Sequence, residues 1–462
     1  MKNKFLIYSG LLIGTILGFA ASSFAQAVTA VAPAVAAVVP TPFISAGNTA
    51  WMIMATALVM LMTIPGLALF YGGLVRNKNI LNVLMQCFIL LAVITLEWVI
   101  FGYSNAFGSS TGFLAPYIGG FDWAFLKGIK VTDVSPYYIS QATERIPHII
   151  FIMFQCMFAV ITPALIIGAY AERMKFRGFL VFSLLWSILV YNPVAHWVWS
   201  ADGWLFKLGA LDFAGGTVVH INAGIAALVT AIMLGKRKLP KGQHITPPHN
   251  IPFVVIGAAL LWFGWFGFNA GSALAANDLA ANAFVATHVA TAAAGLTWAL
   301  IEWQQHGAPT VLGVSTGAVA GLVAITPACG FVNPMNAILI GMLVSLFCYI
   351  AIAYIKGKLG YDDALDVFGV HGVGGMWGTI ATGIFAEKAV NAAGADGLFL
   401  GGTHQFLVQC MLILVVPVFA GVVTWILFKV VDALMGMRVE KKDEIVGLDL
   451  TQQSEAAYTV IE

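Results

Sequence analysis

The chain has 462 residues, of which 60% are hydrophobic and 9% are charged, and its formal net charge is +1. Soluble globular proteins carry about 25% charged residues. This composition therefore excludes an ordinary soluble protein and indicates one that crosses a membrane several times. With so little net charge, we expect no nucleic-acid partner.

The N-terminus has the pattern of a secretory signal. Lys2 and Lys4 precede an apolar run that extends to Ala21, and Ser23-Phe24-Ala25 has the small-x-small pattern of a cleavage site. We predict a cleavable signal peptide over residues 1–25; the alternative is a true first membrane helix. Residues 26–45 are rich in Ala, Val and Pro without a period, and we expect them to form a loose extracytoplasmic leader.

Residues 46–435 contain apolar segments of the length that a bilayer requires, about 20 residues. Eleven spans are predicted, and they begin near Asn48, Ile80, Ile149, Phe179, Ala214, Ile251, Ala281, Thr310, Pro334, Asp366 and Gln405. Lys and Arg concentrate on the inner side of a membrane. With the mature N-terminus outside, fifteen of them fall in inner segments and five in outer loops. The fold class is thus an all-α polytopic membrane protein with 11 transmembrane helices, N-out and C-in.

Two stretches of the chain share one pattern. In Asp212-Phe-Ala-Gly-Gly-Thr-Val-Val-His220 and Asp363-Ala-Leu-Asp-Val-Phe-Gly-Val-His371, an aspartate precedes a histidine by eight positions, and a glycine-containing run follows. His220 falls early in the fifth span and His371 early in the tenth, which run in opposite directions. Helices 1–5 and 6–10 are therefore predicted to form an inverted repeat with an extra C-terminal helix.

Both histidines are ionisable groups inside predicted spans, which are functional-site candidates. Eight residues of helix rise roughly 12 Å, so a hydrocarbon core of about 30 Å leaves roughly 6 Å of depth between the two histidines, or roughly 10 Å if the tenth span begins at Asp366. The two side chains can therefore meet near the midplane, while their lateral proximity is open.

Longer motifs resemble those of the ammonium transporter family (Amt/Mep/Rh), in its bacterial branch. These motifs are Pro65-Gly-Leu-Ala-Leu-Phe-Tyr-Gly-Gly73, Gly168-Ala-Tyr-Ala-Glu-Arg173, His196-Trp-Val-Trp199, Asp212-Phe-Ala-Gly-Gly-Thr-Val-Val-His-Ile-Asn-Ala-Gly224, Trp265-Phe-Gly-Phe-Asn-Ala-Gly-Ser-Ala273 and Asp366-Val-Phe-Gly-Val-His-Gly-Val373. The resemblance covers nearly all of the mature chain. It implies a transporter of ammonium and methylammonium, not an enzyme, with no cofactor and no bound metal. It also implies a homotrimer among the lipids of a bacterial inner membrane.

The resemblance makes His220 and His371 the twin histidines of a conduction pore. Two imidazoles that share one proton can both donate to and accept from a small polar solute such as ammonia. Burial without a carboxylate favours their neutral form. The alternative is that each histidine is separately satisfied by a backbone carbonyl.

The resemblance also implies an outer site where aromatic rings recruit ammonium. Phe158 and Trp199 would face the cation, and Ser272 would add a hydroxyl acceptor. Phe268 would stack on Phe158 as a hydrophobic gate, and Trp265 would lie beside the pore. From the residues alone, Phe158 is one core aromatic among many.

Each aspartate begins a helix in our interpretation. Asp212 is expected to cap the fifth span, and the resemblance implies that it supports the outer site without touching the cation; a direct ligand is the alternative. Asp366 is expected to cap the tenth span, and the role of Asp363 stays open.

Residues 436–462 form a charged C-terminal segment. Gly447-Leu-Asp449 and Ala457-Tyr458 resemble the family's cytoplasmic regulatory tail, which with the inner loops receives a PII-type protein. Gln453-Ser454 stand where the family often has His-Gly, a departure that concerns regulation and not transport. The alternative is a merely solubilising end.

Two other functional classes compete with transport. One is a sensor that binds ammonium and signals through its tail, although only about 25 residues follow the last span. The other is a membrane metalloenzyme, which is disfavoured because no carboxylate or thiolate stands at helical spacing beside either histidine.

Overall fold

The computed structural model describes residues 41–139, 142–239 and 247–458. The predicted signal peptide and residues 26–40 of the predicted leader lie outside this part. Strand β1 (Phe43–Ile44), at the end of the predicted leader, pairs in parallel with β2 (Glu144–Arg145). Apart from this pair of two-residue strands and isolated bridges, the regular structure of the described residues is helical, which confirms the all-α prediction.

Helices occupy all the predicted spans. Nine in the described residues are long and apolar enough to cross a membrane, namely α1 (Ala46–Leu74), α2 (Asn77–Phe107), α3 (His148–Tyr170), α4 (Phe176–Lys207), α5 (Gly216–Leu234), α6 (Ile251–Gly271), α7 (Asp278–His306), α9 (Pro334–Leu359) and α11 (Thr403–Met435). Two are shorter, namely α8 (Val311–Ile325) and α10, which joins the π-helical turn Phe368–Gly372 to the α-helix Val373–Phe385. Two short helices, α12 (Lys441–Val446) and α13 (Leu448–Gln453), lie in the C-terminal segment.

Side-chain caps set the starts of several helices. The side chains of Asn250, Thr310 and Asn333 accept hydrogen bonds from the backbone N–H groups three residues ahead, at the starts of α6, α8 and α9. Pro252 and Pro334 occupy the first turns of α6 and α9, where a missing N–H costs nothing. These caps satisfy backbone donors that would otherwise lose hydrogen bonds near the bilayer.

The helices differ in how deeply they are enclosed. In the most apolar 18-residue segment of each helix, 78% of α3 and 72% of α5 is buried, whereas only 28% of α11 is buried. Large apolar side chains of α11, such as Leu414 and Val418, are about two-thirds exposed, at 66% and 67%. Thus α3 and α5 form the centre of the bundle, and α11 presents an apolar outer face of the kind that lipid covers.

Helices α5 and α10 cross at a point where only glycine fits. A Cβ atom on Gly224 of α5 would lie 2.2 Å from the backbone nitrogen of Gly372 in α10. A Cβ on Gly375 would lie 3.1 Å from the Cβ of His220. The glycines that follow each histidine in the sequence thus allow the two backbones to approach closely, as small residues do between membrane helices.

The C-terminal segment packs against the start of α2 at one end of the bundle. The Asp449 carboxylate accepts a hydrogen bond from the backbone N–H of Asn82 (2.8 Å), and the Leu448 N–H donates to the Asn79 side chain (2.9 Å). Arg438 pairs with the buried Glu444 at 2.9 Å. The segment is therefore ordered by specific polar contacts and is not only a solubilising end.

Gln453, at the position where the sequence departs from the family pattern, belongs to the same contact surface. Its side-chain oxygen accepts a hydrogen bond from Asn82 Nδ2 at 2.8 Å. Ser454 then adopts a left-handed conformation, with φ of 58°, and ends α13. The departure is thus accommodated without loss of docking.

Candidate transport site

His220 and His371 meet inside the bundle. Their Nδ1 atoms lie 3.2 Å apart, and their ring centroids are 5.2 Å apart with 27° between the planes. Both are buried, with exposures of 1% and 4%. The expected contact is confirmed. The two Nδ1 atoms bond to each other and not, as in the alternative, to separate backbone carbonyls.

The Nδ1 contact constrains the protonation of the pair. One Nδ1 must donate and the other must accept, so in neutral rings one Nε2 is an acceptor and the other carries a proton. His220 Nε2 is buried and has no hydrogen-bond partner in the described part of the chain. The pair can therefore offer a small solute one donor and one acceptor.

Both histidines lie in π-helical turns that begin their helices. His220 is in Gly216–Ile221, the first turn of α5, and His371 is in Phe368–Gly372. The described residues contain four other π-helical turns, so the feature is shared by both histidines but is not specific to them. The repeated sequence pattern thus corresponds to a repeated local structure.

Asp212 caps α5 in the way that the sequence predicts. Its Oδ1 accepts from the N–H groups of Gly215 (2.8 Å) and Gly216 (2.7 Å), and its Oδ2 accepts from Thr217 (2.8 Å) and Val218 (3.1 Å). Four N–H donors at a helix N-terminus stabilise a carboxylate. The side chain also lies in the wall of a large cavity beside Trp199.

The expected cap of α10 is wrong. Asp363, not Asp366, accepts the hydrogen bond from the Phe368 N–H, at 2.7 Å from Oδ2. Asp366 instead forms an ion pair with Lys356 at 2.6 Å. The physical reason is that α10 begins at Phe368, so an aspartate five residues before it reaches the first free N–H, as Asp212 does for Thr217. The spacing of eight from His371 was a signal that could have identified Asp363.

Trp265 lies against the histidine pair. Its ring stacks on His220 with centroids 5.3 Å apart, and its Nε1 donates to Thr326 Oγ1 at 2.8 Å. The indole is thus fixed in orientation by a buried hydroxyl that sequence reasoning missed. Thr326 gave no signal because it lies outside every motif that carries the resemblance.

Phe158 and Phe268 form a stacked pair next to the histidines. Their centroids are 4.1 Å apart with 26° between the rings, and both side chains are buried. The Phe268 ring is also 6.1 Å from that of His220. The pair therefore closes the space on one side of the imidazoles.

Trp199 and Ser272 lie on the other side of this stack. The Trp199 ring is 5.8 Å from Phe158 at nearly a right angle (87°), and its Nε1 donates to the Asp212 carbonyl at 2.9 Å. Ser272 Oγ donates to the Phe268 carbonyl at 2.8 Å, which leaves its oxygen lone pairs free to accept. The expected aromatic and hydroxyl groups are thus adjacent.

Three cavities lie in a row through these residues. The aromatic cavity, of about 590 Å³, is lined by Phe158, Trp199, Asp212 and Ser272. The histidine cavity, of about 10 Å³, is lined by Phe268, Trp265, His220 and His371. The distal cavity, of about 210 Å³, shares His371 and Val319 with the histidine cavity and extends to Asp366. A single water molecule needs a cavity of about 10–15 Å³, so the histidine cavity accepts only a very small solute.

Sequence comparison identifies the relatives of this arrangement. Residues 50–458 match the profile of the Ammonium Transporter Family. The chain is 50% identical to an ammonium transporter of Bacillus subtilis over 412 residues, which are 89% of this chain and 98% of that protein.

Solved structures have the same fold. The crystal structure of Saccharomyces cerevisiae Mep2 superposes with a TM-score of 0.79 at 37% identity, covering 87% of this chain and 89% of that one. A structure described as a sensor Amt protein superposes with a TM-score of 0.78 at 29% identity, covering 88% of this chain and 98% of that one. The family match spans most of the chain and includes every residue of the three cavities, so this multi-pass membrane protein belongs to the ammonium transporter family and is not an enzyme.

Proposed function

We propose that the protein recruits ammonium in the aromatic cavity, deprotonates it, and conducts neutral ammonia past His220 and His371 to the cytoplasm. The observation that carries this proposal is the row of cavities, in which the histidine pair lies between a wide aromatic chamber and a second wide chamber. The family resemblance of the sequence implies the same route for the solute.

The walls of the aromatic cavity suit a cation. A cation over the faces of Trp199 and Phe158 gains about 0.5–2 kcal/mol. Ser272 supplies an acceptor for an ammonium N–H, and the Asp212 carboxylate adds a negative field while its own oxygens stay bonded to the α5 backbone. Asp212 thus supports the site electrostatically and does not need to contact the cation.

The histidine cavity suits the neutral species. A charge in a narrow apolar passage is costly, and the described walls of this cavity contain no carboxylate. Ammonia has both N–H donors and a lone pair, and it can use the donor and the acceptor that the imidazole pair offers. Because Phe158 and Phe268 are stacked at 4.1 Å, passage requires the two rings to move apart.

Helix contacts support eleven spans in an inverted repeat. Helices α1 and α6 pack together, as do α5 and α10, across the two proposed halves. Within the halves, α2 with α3 and α7 with α8 form equivalent pairs. This pattern favours α1–α5 and α6–α10 as the repeat, with α11 added and the C-terminus inside.

Uptake of methylammonium by reconstituted protein tests the proposal. Wild type should accumulate the solute, and a His220→Leu/His371→Leu variant should lose most uptake. His288→Leu is the matched control, because His288 lies on the exposed face of α7 against Trp262. Unchanged uptake in the double variant would remove the histidines from the pathway, and current recorded in parallel separates charged from neutral transfer.

The remaining expectations extend the same proposal. Residues 1–25 direct the chain to a bacterial inner membrane as a cleaved signal, residues 26–45 form the extracytoplasmic leader, residues 46–435 the membrane domain and residues 436–462 the cytoplasmic tail. The assembly is a homotrimer, and a PII-type protein binds the tail and inner loops. Mass determination of the mature protein, cross-linking, and binding of a purified PII-type protein test these points separately.

A sensor is the second candidate function. The solved sensor Amt protein shares the fold, so the fold alone does not separate the two. The docked tail favours neither. Uptake by purified protein in liposomes decides, because a sensor would bind ammonium without accumulating methylammonium.

A further inference from the structure

The aromatic cavity is far larger than an ammonium ion requires. Its volume is about 590 Å³, against about 10 Å³ for the histidine cavity that follows. Cavities of about 300–1,000 Å³ hold organic ligands. The contrast means that a bulkier molecule can enter the first chamber but cannot continue through the stacked Phe158 and Phe268 rings.

Aromatic rings enclose this chamber on several sides. On one side Phe107, Tyr137 and Phe151 pack together, with Tyr137 stacked on Phe151 at 4.8 Å. On another side Phe331 packs at 86° against Phe213, with centroids 5.6 Å apart. Phe158 and Trp199 close the inner end. Rings on several sides form the kind of cage that recognises organic ammonium groups.

The charge of the chamber has one sign. Asp212 is the one charged side chain among its described lining residues, and no Lys, Arg or His lines it there. A monovalent cation is therefore favoured over a neutral or anionic molecule of the same size.

Two residues of the chamber wall each have a buried polar side-chain atom without a hydrogen-bond partner in the described structure. Asn391 is 4% exposed, its Oδ1 accepts from the Ala393 N–H at 3.0 Å, and its Nδ2 has no partner. The buried Oε1 of Gln155 also has none. Buried donors and acceptors are normally satisfied, so these two lining residues have an unused donor and an unused acceptor that a hydroxyl group could satisfy.

We infer that the aromatic cavity is a binding site for small organic ammonium cations that carry a hydroxyl group, of the choline type, which occupy the chamber and block it without being transported. The trimethylammonium group lies among the aromatic rings, and the hydroxyl oxygen accepts from Asn391 Nδ2. Ammonium and the organic cation thus compete for one chamber. Of the two, only ammonium can leave it through the histidine cavity. The uptake assay that tests this inference rests on the proposed function. The binding of the organic cation does not depend on that function.

The test uses reconstituted protein and choline as the probe. External choline should raise the methylammonium concentration needed for half-maximal uptake and leave the maximal rate unchanged, and labelled choline should not accumulate. Tetramethylammonium, which has no hydroxyl group, should inhibit more weakly. Isothermal titration of choline into detergent-purified protein measures binding independently of uptake.

Two variants locate the site. Phe331→Leu removes one ring and should weaken choline inhibition about fivefold, whereas Phe399→Leu, an exposed aromatic outside the chamber with 50% exposure, should not. Asn391→Asp keeps the Oδ1 acceptor for Ala393 but loses the Nδ2 donor, so choline should lose its advantage over tetramethylammonium.

The outcomes separate this inference from the proposed function. The inference alone would be overturned by a protein that takes up methylammonium but does not bind choline in the titration. Its uptake would also have to be insensitive to choline at concentrations up to the isotonic one. Accumulation of choline would overturn the exclusion by the phenylalanine stack. Choline binding by protein that takes up no methylammonium would keep the site and overturn the transport proposal.

Discussion

His220 and His371 are 151 positions apart in the chain, yet their Nδ1 atoms are 3.2 Å apart. Each imidazole is held in the first, π-helical turn of its helix, and an aspartate eight residues before each histidine caps that helix. The relationship depends on the crossing of α5 and α10, because a shift of either helix would move one ring away from the other.

Gly224→Ala should disrupt the histidine pair without altering it chemically. The added Cβ would lie 2.2 Å from the backbone nitrogen of Gly372, so α10 must move, at about 1–3 kcal/mol of overpacking. A displacement near 1 Å can reduce activity about a hundredfold, and methylammonium uptake measures the loss. Gly295→Ala in α7, where the nearest atom is 3.6 Å away, should retain uptake. Normal uptake by Gly224→Ala would show that the crossing tolerates displacement.

Asp212→Asn should destabilise the protein and reduce uptake. The amide nitrogen of asparagine would face two of the four N–H donors, from Thr217 and Val218 or from Gly215 and Gly216, and leave them unsatisfied. Loss of hydrogen bonds to a buried charge costs about 1.5–3 kcal/mol, which thermal unfolding in detergent detects. Asp202→Asn is the control, because its exposed pair with Lys207 at 3.6 Å contributes little. Equal unfolding temperatures for the two variants would contradict the cap.

Asp363→Asn should change the pH dependence of stability. Burial and the neighbouring Asp366 raise the pKa of Asp363 from 3.8 to about 6. A raised carboxyl pKa stabilises the folded state below about pH 4, and this contribution is lost as pH rises to about 6, at most about 3 kcal/mol. Asparagine does not titrate and still accepts from Phe368.

The difference between the two proteins therefore has a sign. The unfolding temperature of Asp363→Asn relative to wild type should rise as the pH increases from 4 to 6 and then level off. A difference that is constant across this range would mean that Asp363 is ionised throughout it.

Asp449→Ala should release the C-terminal segment from the bundle. The variant loses the acceptor for the Asn82 N–H, a buried contact at 2.8 Å, at about 1–3 kcal/mol. Limited trypsin digestion after Lys441 or Lys442 should then be faster, since cleavage follows local opening. Asp443→Ala in the same segment is the control. Equal cleavage rates for both variants would place the docking energy elsewhere.

The sequence by itself determined the membrane class, the positions of the helices and the residues that we propose for the pore. Long apolar segments have few alternatives in a bilayer, so each predicted span coincides with a helix to within a few residues. The paired aspartate and histidine pattern singled out His220 and His371. The family motifs contain Trp199, Phe268 and Ser272, and the wider family resemblance added Phe158. These are local signals, carried by composition or by residues that stand close together in the chain.

Tertiary structure decided what those signals could not contain. The spacing of eight pointed to Asp363 as the cap of α10, but the choice between Asp363 and Asp366 depended on the residue at which the folded helix begins. The contact of the two imidazoles required the glycine crossing of α5 and α10. The large aromatic cavity, with Asn391 and Gln155 in its wall, arises from loops and helices far apart in sequence. Such features are set by packing between distant segments. A single sequence gives the residues but does not show which of them come into contact.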